Sequence, residues 1–264
     1  VLTYPQFDPV AFRVFSLEVH WYGLMYLLGF TVAYSLGILR AKKPESDWTT
    51  EQLSDLIFYA AVGIVLGGRT GYMLFYGTEQ LLTNPLSLFK VWEGGMSFHG
   101  GLLGSACGML FLCRHYKKHL GDVMDFSAPI AALGLGFGRI GNFIGGELYG
   151  RATDVPWAMI FPRGGDVPRH PSQLYQAFLE GLVLFVVLWW FSARPRPRFA
   201  VTGLFIALYG VFRIFVEFFR EPDAHLSFIF FDWVTMGQVL SLPMVAGGLL
   251  MMFYGYRWSG THKT

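Results

Sequence analysis

Long apolar runs alternate with short polar connections along nearly the whole chain. The runs are too long for the strands or one-sided helices of a water-soluble domain. A helix needs about 20 mostly apolar residues to cross a bilayer. Seven runs approach that length, at roughly 20–39, 53–76, 96–113, 126–144, 172–192, 201–219 and 232–256. The fifth is the most continuous, with an unbroken apolar stretch from Leu182 to Phe191. The fourth is crowded by Gly134, Gly136, Gly138, Gly141 and Gly145. Within it Gly134/Gly138 and Gly141/Gly145 are small-xxx-small pairs, which suit close helix packing. The pattern predicts an all-α integral membrane protein with seven transmembrane helices. The longest connection, 145–171, is expected to form a small extracytoplasmic cap. Residues 1–19 lack a basic start followed by an apolar stretch, so no cleavable signal peptide is expected. No internal repeat is evident, and seven spans do not halve into a transporter-like inverted pair.

Composition sharpens this picture. The 264 residues are 53% hydrophobic and only 14% charged, against about 25% charged in an average soluble domain. Mean hydropathy is +0.43. Disorder, collagen and coiled coil are excluded. A net charge of +2 gives no electrostatic case for a nucleic-acid partner. Cys107 and Cys113, six apart in one apolar run, read as buried small hydrophobes rather than a zinc pair or a disulfide.

The basic residues set an orientation. Arg40, Lys42, Lys43, Arg114, Lys117, Lys118, Arg194, Arg196, Arg198, Arg257 and Lys263 fall on one side of the spans, 11 in all. Arg13, Lys90, Arg151, Arg163, Arg169 and Arg220 fall on the other, six in all. The richer side is cytoplasmic by the positive-inside rule. The N-terminus is then outside and the C-terminus inside.

Three arginines remain within spans: Arg69, Arg139 and Arg213. Ionisable groups at membrane depth cost about 2.5–3.5 kcal/mol each on insertion scales and usually serve function. Given the orientation, all three lie in the outer halves of their helices. Glu217, His99, Gln173, Tyr175, Gln176, Glu180, His20, Tyr22 and Tyr26 fall at the same level, with Glu147 and Tyr149 just beyond span four. Guanidinium groups bind phosphate or carboxylate through a planar fork. Arg213 and Glu217, at i and i+4, are also spaced as a structural ion pair. That pairing leaves Arg69 and Arg139 unexplained, so the set as a whole favours a phospholipid headgroup.

His99 precedes two glycines in Ser97-Phe98-His99-Gly100-Gly101, and a neutral imidazole there is a candidate base. A haem between His20 and His99 is the weaker alternative. His115 and His119 sit among Arg114, Lys117 and Lys118 and read as a solvated face. Gly136-Phe137-Gly138-Arg139-Ile140-Gly141 spells GxGxxG, but no soluble strand precedes it, so the dinucleotide reading fails. Neither a GxSxG elbow nor an HExxH zinc motif is present.

The run Gly138-Arg139-Ile140-Gly141-Asn142-Phe143-Ile144-Gly145-Gly146-Glu147-Leu148-Tyr149-Gly150 resembles the signature of the prolipoprotein diacylglyceryl transferases. Further matches follow in order along more than 200 residues. They are Trp21 to Tyr26, His99 to Leu102, Arg169 to Tyr175, and Tyr209 to Arg213 with Glu217 to Asp223. Two positions depart from the family pattern: Gly145 stands where an Asn is usual, and Gln176 where Glu is frequent. The resemblance implies transfer of a diacylglyceryl group from phosphatidylglycerol to the lipobox cysteine of a bacterial prolipoprotein signal peptide. Glycerol 1-phosphate would leave, in the inner membrane and without metal or organic cofactor. It points to Arg139 and Arg213 as phosphate clamps, with His99 or Glu217 assisting thiol deprotonation. Tyr22, Tyr26, Asn142, Glu147, Gly150 and Tyr209 are implied to bind or orient the substrate. Arg69 joins them on the depth argument alone. The competing class is a multi-pass transporter of an anionic or lipid substrate. Against it stand the apolar inner halves Phe30–Leu39, Ala106–Cys113 and Leu182–Phe191.

Overall fold

The computed structural model describes residues 1–15, 17–221, 228–230 and 234–261. Pro222, Asp223 and Lys263 lie outside the described residues. The long helices are α1 (Trp21–Ala41), α2 (Thr50–Phe75), α4 (Phe98–Tyr116), α5 (Leu120–Ile144), α8 (Ala200–Glu217) and α9 (Met236–Thr261). The predicted fifth span is one continuous helical run. It consists of α6 (Ser172–Gln176), a π-helical segment (Ala177–Val183) and α7 (Leu184–Phe191). A short α3 (Thr78–Thr83) follows α2. Every predicted span thus coincides with a helix, and six of the seven are long and apolar enough to cross a membrane. The exception is α4, whose hydropathy is diluted by four glycines, His99, Arg114 and His115. The molecule is an all-α membrane protein carrying a few short strand pairings.

The chain forms two compact units, Tyr34–Val123 and Val1–Ala33 with Met124–Thr264. In the first, α2 begins with a capping box in which Thr49 and Gln52 satisfy each other's backbone N–H groups. The packing of α2 on α4 depends on glycine. A Cβ on Gly71 would lie 2.9 Å from the Gly100 Cα, and one on Gly104 3.0 Å from the Gly67 Cα. Gly63 meets the Gly104 carbonyl more closely still. This is the small-residue contact expected where helices associate in lipid, made by a different set of glycines from those the sequence pattern singled out. Gly134 and Gly138 have nothing within 4 Å of an added Cβ. On α5 the close approaches are those of Gly136, to Gly181, and of Gly141, to Tyr22, each at 3.0 Å from an added Cβ. At the end of this unit the Tyr116 hydroxyl donates to Asp55 Oδ2 at 2.6 Å. Lys118 pairs with Asp47 at 2.9 Å. Of the two free thiols, Cys113 is buried but Cys107 is exposed, contrary to expectation. A small apolar side chain suits lipid as well as a protein core.

In the second unit, Ala128, Ala132, Leu184, Leu188 and Val201 form a buried cluster joining α5, α7 and α8. The Asp125 carboxylate accepts from the backbone N–H of Thr202 at 2.8 Å, placing an anion at the start of α8. The N-terminal residues add strands that hydropathy did not disclose. β1 (Leu2–Thr3) pairs in parallel with β4 (Met159–Ile160) inside the 145–171 connection. β2 (Val10–Val14) and β3 (Leu17–His20) form an antiparallel hairpin leading into α1. Between them buried Tyr4 donates to the carbonyls of Phe143 and Ile144 at 2.6 and 2.8 Å. It thereby supplies a donor to the Ile144 carbonyl at the end of α5, while the Phe143 carbonyl also accepts from the Gly146 N–H at 3.0 Å. Burial pushes the Tyr4 phenol above its ordinary range. β5 (Phe228–Phe230) pairs with β6 (Val234–Thr235) just before α9.

Candidate active site

The site grows from one close backbone approach. Gly136 on α5 faces Gly181 in the π-helical segment, and a Cβ on Gly136 would lie 3.0 Å from the Gly181 Cα. Only glycines permit that approach. Arg139 is one turn along α5 from Gly136, and Glu180 is the neighbour of Gly181, so the contact brings the two side chains together. Arg139 Nε stands 3.5 Å from Glu180 Oε2. A π-helical turn at this point is itself a recurrent mark of functional sites, because the extra residue re-aims a side chain.

On α8, Arg213 Nη2 lies 3.1 Å from Glu217 Oε2. Glu217 Oε1 is 3.5 Å from Nη1 of Arg220, in the turn after the helix. Glu180 feels the charges of Arg139, Arg213 and Glu217 together, so these groups form one electrostatic cluster. Tyr209, one turn before Arg213, adds its hydroxyl beside Arg139. The carboxylates are the buried partners: their side chains are 0% exposed at Glu180 and 2% at Glu217, against 24% at Arg139 and 18% at Arg213. Nη1 of Arg213, both carboxylate oxygens of Glu180 and Oε2 of Glu217 are buried without a hydrogen-bond partner among the described residues. The acids therefore lie deeper than the guanidinium groups they pair with. Within this cluster Arg139, Arg213 and Arg220 against Glu180 and Glu217 leave a formal excess of one positive charge.

The signature after α5 closes on the same region. Gly146 turns the chain out of the helix at φ +63°, where a side chain would be strained. The turn lets the Asn142 amide donate to Glu147 Oε1 at 2.9 Å. Tyr22 and Tyr26 share a hydroxyl–hydroxyl hydrogen bond of 3.1 Å. Tyr22 packs against Gly141 and lies within electrostatic reach of Glu147 and Arg139. Gly150 is needed for space. Its N–H donates to the His170 carbonyl at 2.8 Å, and an added Cβ would run into Phe219 and stand 2.7 Å from His170 Cβ. Its place is structural, at a crossing of three chain segments.

The structure thus brings together Tyr22, Tyr26, Arg139, Asn142, Glu147, Tyr209, Arg213 and Glu217. Arg69 and His99 belong to the other unit. Arg69 is buried, with its donors taken by the carbonyls of Ser87, Leu88, Gly94 and Gly95. That arrangement pins the 84–95 connection to α2 rather than presenting a fork to an anion. His99 stands exposed in the first turn of α4, whose N-cap is Ser97.

Three residues that sequence reasoning did not assign to the site also support it. Arg220 shares Glu217, and its i, i+3 spacing was a readable signal. Arg151 donates to the carbonyls of Arg220 at 2.9 Å and Glu217 at 3.3 Å, tying the 145–171 connection to the end of α8. Gly237 on α9 backs directly onto the Glu217 carboxylate. Nearby, Arg169 bonds the Gly164 carbonyl and Glu221 and lies over the Tyr149 ring. His170 Nδ1 is 3.1 Å from the Tyr175 hydroxyl, and burial lowers its basicity. Among the described residues no group of three or more His, Cys, Asp or Glu side chains is placed to hold a metal ion.

Membrane-length helices carrying arginines paired with buried carboxylates define an integral membrane protein with an ionic cluster among its spans. Comparison with known sequences makes this specific. The sequence model of the prolipoprotein diacylglyceryl transferase family matches residues 9–254, and the chain belongs to that family. It is 57% identical to the phosphatidylglycerol–prolipoprotein diacylglyceryl transferase of Oleidesulfovibrio alaskensis, over 97% of this chain and 96% of that protein. Identity is 56% to the enzyme of the same name from Coxiella burnetii, covering 97% and 98%. It is 54% to that of Pseudomonas paraeruginosa, covering 97% of each chain.

Proposed function

We propose that the protein transfers the diacylglyceryl group of phosphatidylglycerol to the lipobox cysteine of prolipoprotein signal peptides. The acceptor sulfur, as thiolate, attacks the glycerol carbon that bears the phosphate. The new bond is a C–S thioether. The C–O bond breaks, its electron pair stays on the phosphate oxygen, and glycerol 1-phosphate leaves. The thiol proton passes to a base. Glu217 and His99 are the candidates, and the reaction calls for no cofactor. Arg139 and Arg213 bind the phosphodiester and stabilise the charge that grows on the leaving group. Tyr209, Asn142 and Glu147 fix the clamp and headgroup, with Tyr22 and Tyr26 beside them. Arg69 serves by fixing α2 and the following connection. The site works at the outer side of the inner membrane, with the N-terminus outside, the C-terminus in the cytoplasm and the 145–171 segment as an extracytoplasmic cap. Both substrates are membrane-anchored, so they reach the site sideways, between helices.

The observation that carries this reading is the asymmetry of burial in the arginine–glutamate cluster, with the acids deeper than the guanidinium groups. Replacing Arg139 or Arg213 by Ala should cost transfer about 10²–10³-fold, the usual size for losing one donor group to a developing oxyanion. Lys should rescue poorly, because an ammonium cannot reproduce the fork. Near-normal turnover by both Lys variants, with protein inserted normally, would rule out bidentate phosphate recognition.

A further inference from the structure

Gln176 is fully buried, and neither Nε2 nor Oε1 has a hydrogen-bond partner among the described residues. Burying an unpaired amide is costly, so native proteins keep few of them. Its neighbours fix where it faces. Gln173, Gln176 and Glu180 are at i, i+3 and i+7, on one stripe of the helical run. At one end of that stripe Gln173 Nε2 donates to the Glu147 carbonyl at 2.6 Å. At the other end Glu180 meets Arg139. Gln176 lies between these two contacts, so its amide faces the same polar interior. The Oε1 of Gln173 is likewise unpartnered. Two neutral amides with free polar atoms therefore continue the polar surface from the arginine clamp toward Ser172, whose hydroxyl bonds the Leu148 carbonyl of the 145–171 connection at 3.1 Å.

We propose that Gln176 reads the hydroxyl groups of the donor lipid's glycerol headgroup and so determines headgroup specificity. This rests on the activity proposed above. In a phospholipid the headgroup lies on the aqueous side of its phosphate. With the phosphate at Arg139 and Arg213, the next group toward the 145–171 connection is the headgroup glycerol. Glu180 is four positions, about one helical turn, beyond Gln176, a reach comparable to that from a phosphate to the hydroxyls of an attached glycerol. A hydroxyl both donates and accepts, and so does an amide. A headgroup without hydroxyls would leave the buried amide unpaired, and that penalty is how a polar site rejects an analogue lacking the group.

The test uses the full-length protein in vesicles with phosphatidylglycerol or phosphatidylpropanol as the donor, the second lacking both headgroup hydroxyls. For the unmodified protein, kcat/KM should favour phosphatidylglycerol roughly ten- to hundredfold. Gln176→Met keeps the volume and removes both polar atoms. It should reduce that preference to about threefold or less, with the loss falling on use of phosphatidylglycerol and appearing mainly in KM. Gln176→Asn, which withdraws the amide by one methylene, should fall between, and it replaces the Met variant should that fail to fold. A purely structural role would lower both donors together and leave their ratio unchanged, which would overturn the inference. An unmodified protein indifferent to the hydroxyls would overturn it as well. Failure to use phosphatidylglycerol at all would instead refute the underlying activity.

Discussion

Substituting Gly237 tests the ion cluster without touching a charged residue. A Cβ at Gly237 would stand 2.8 Å from the Glu217 Cδ and 2.9 and 3.0 Å from its two oxygens. A flexible exposed carboxylate would swing away. This one is 2% exposed and held by Arg213 at 3.1 Å and Arg220 at 3.5 Å. Moving it by a few tenths of an ångström lengthens both contacts in a site where charges are hard to re-solvate. Overpacking of this kind typically costs about 1–3 kcal/mol. If about 1.4 kcal/mol of that falls on the geometry of Arg213, transfer slows about tenfold. Gly247 is the internal control: it lies on the same helix with nothing within 4 Å of an added Cβ. Gly237→Ala should lower both kcat and the midpoint of thermal unfolding, while Gly247→Ala leaves both unchanged. Adding Glu217→Asp, one methylene shorter, should recover part of the loss, giving a coupling energy outside simple additivity. Wild-type activity and stability in Gly237→Ala would refute the claim that a fixed Glu217 positions Arg213.

Gly104→Ala should destabilise the α2–α4 pair, since its Cβ meets backbone of α2, whereas Gly101→Ala meets Ile64 only at 3.5 Å and should be tolerated. Thermal unfolding of the two variants in the same detergent decides this. Burial depresses the His170 pKa in the folded protein. The unfolded chain therefore takes up its proton first, and this contribution is whole above about pH 6.5 and lost as pH falls through the folded value. His170→Phe should flatten the decline in unfolding temperature on acidification, and an unchanged slope would count against burial as its cause. A cysteine introduced in 193–200 should react with an impermeant thiol reagent only after the cytoplasmic face is opened. Labelling from outside intact cells would reverse the proposed orientation.

The helices were legible because membrane spans are written in continuous hydropathy. Charges stranded within them singled out Arg69, Arg139, Arg213, Glu217 and His99 alike as candidates. What hydropathy could not give were partners. Arg69 has the same residue type and a similar apolar setting as Arg139, yet four backbone carbonyls occupy it, and carbonyl positions carry no sequence signal. Glycine spacing singled out α5, while the tightest helix contact is made by Gly63, Gly67 and Gly71 of α2 with Gly100 and Gly104 of α4, because spacing reports the capacity for close packing and not the identity of the neighbour. The N-terminal hairpin and the Tyr4 contact are formed by short segments far apart in sequence, beyond the range of local periodicity. Gly237 and Arg151 act on Glu217 across the fold, one through the space it leaves and the other through a carbonyl.

The most direct test follows the atoms of the donor. Phosphatidylglycerol labelled separately in its diacylglyceryl part and its headgroup is incubated with the purified protein and a lipobox peptide. The account predicts that the diacylglyceryl label passes to the peptide cysteine in a hydroxylamine-resistant thioether. The headgroup label should appear in equal amount as glycerol 1-phosphate, and a peptide with serine for cysteine should accept nothing. Appearance of a thioester, of labelled fatty acid alone, or of glycerol 1-phosphate without modified peptide would contradict it.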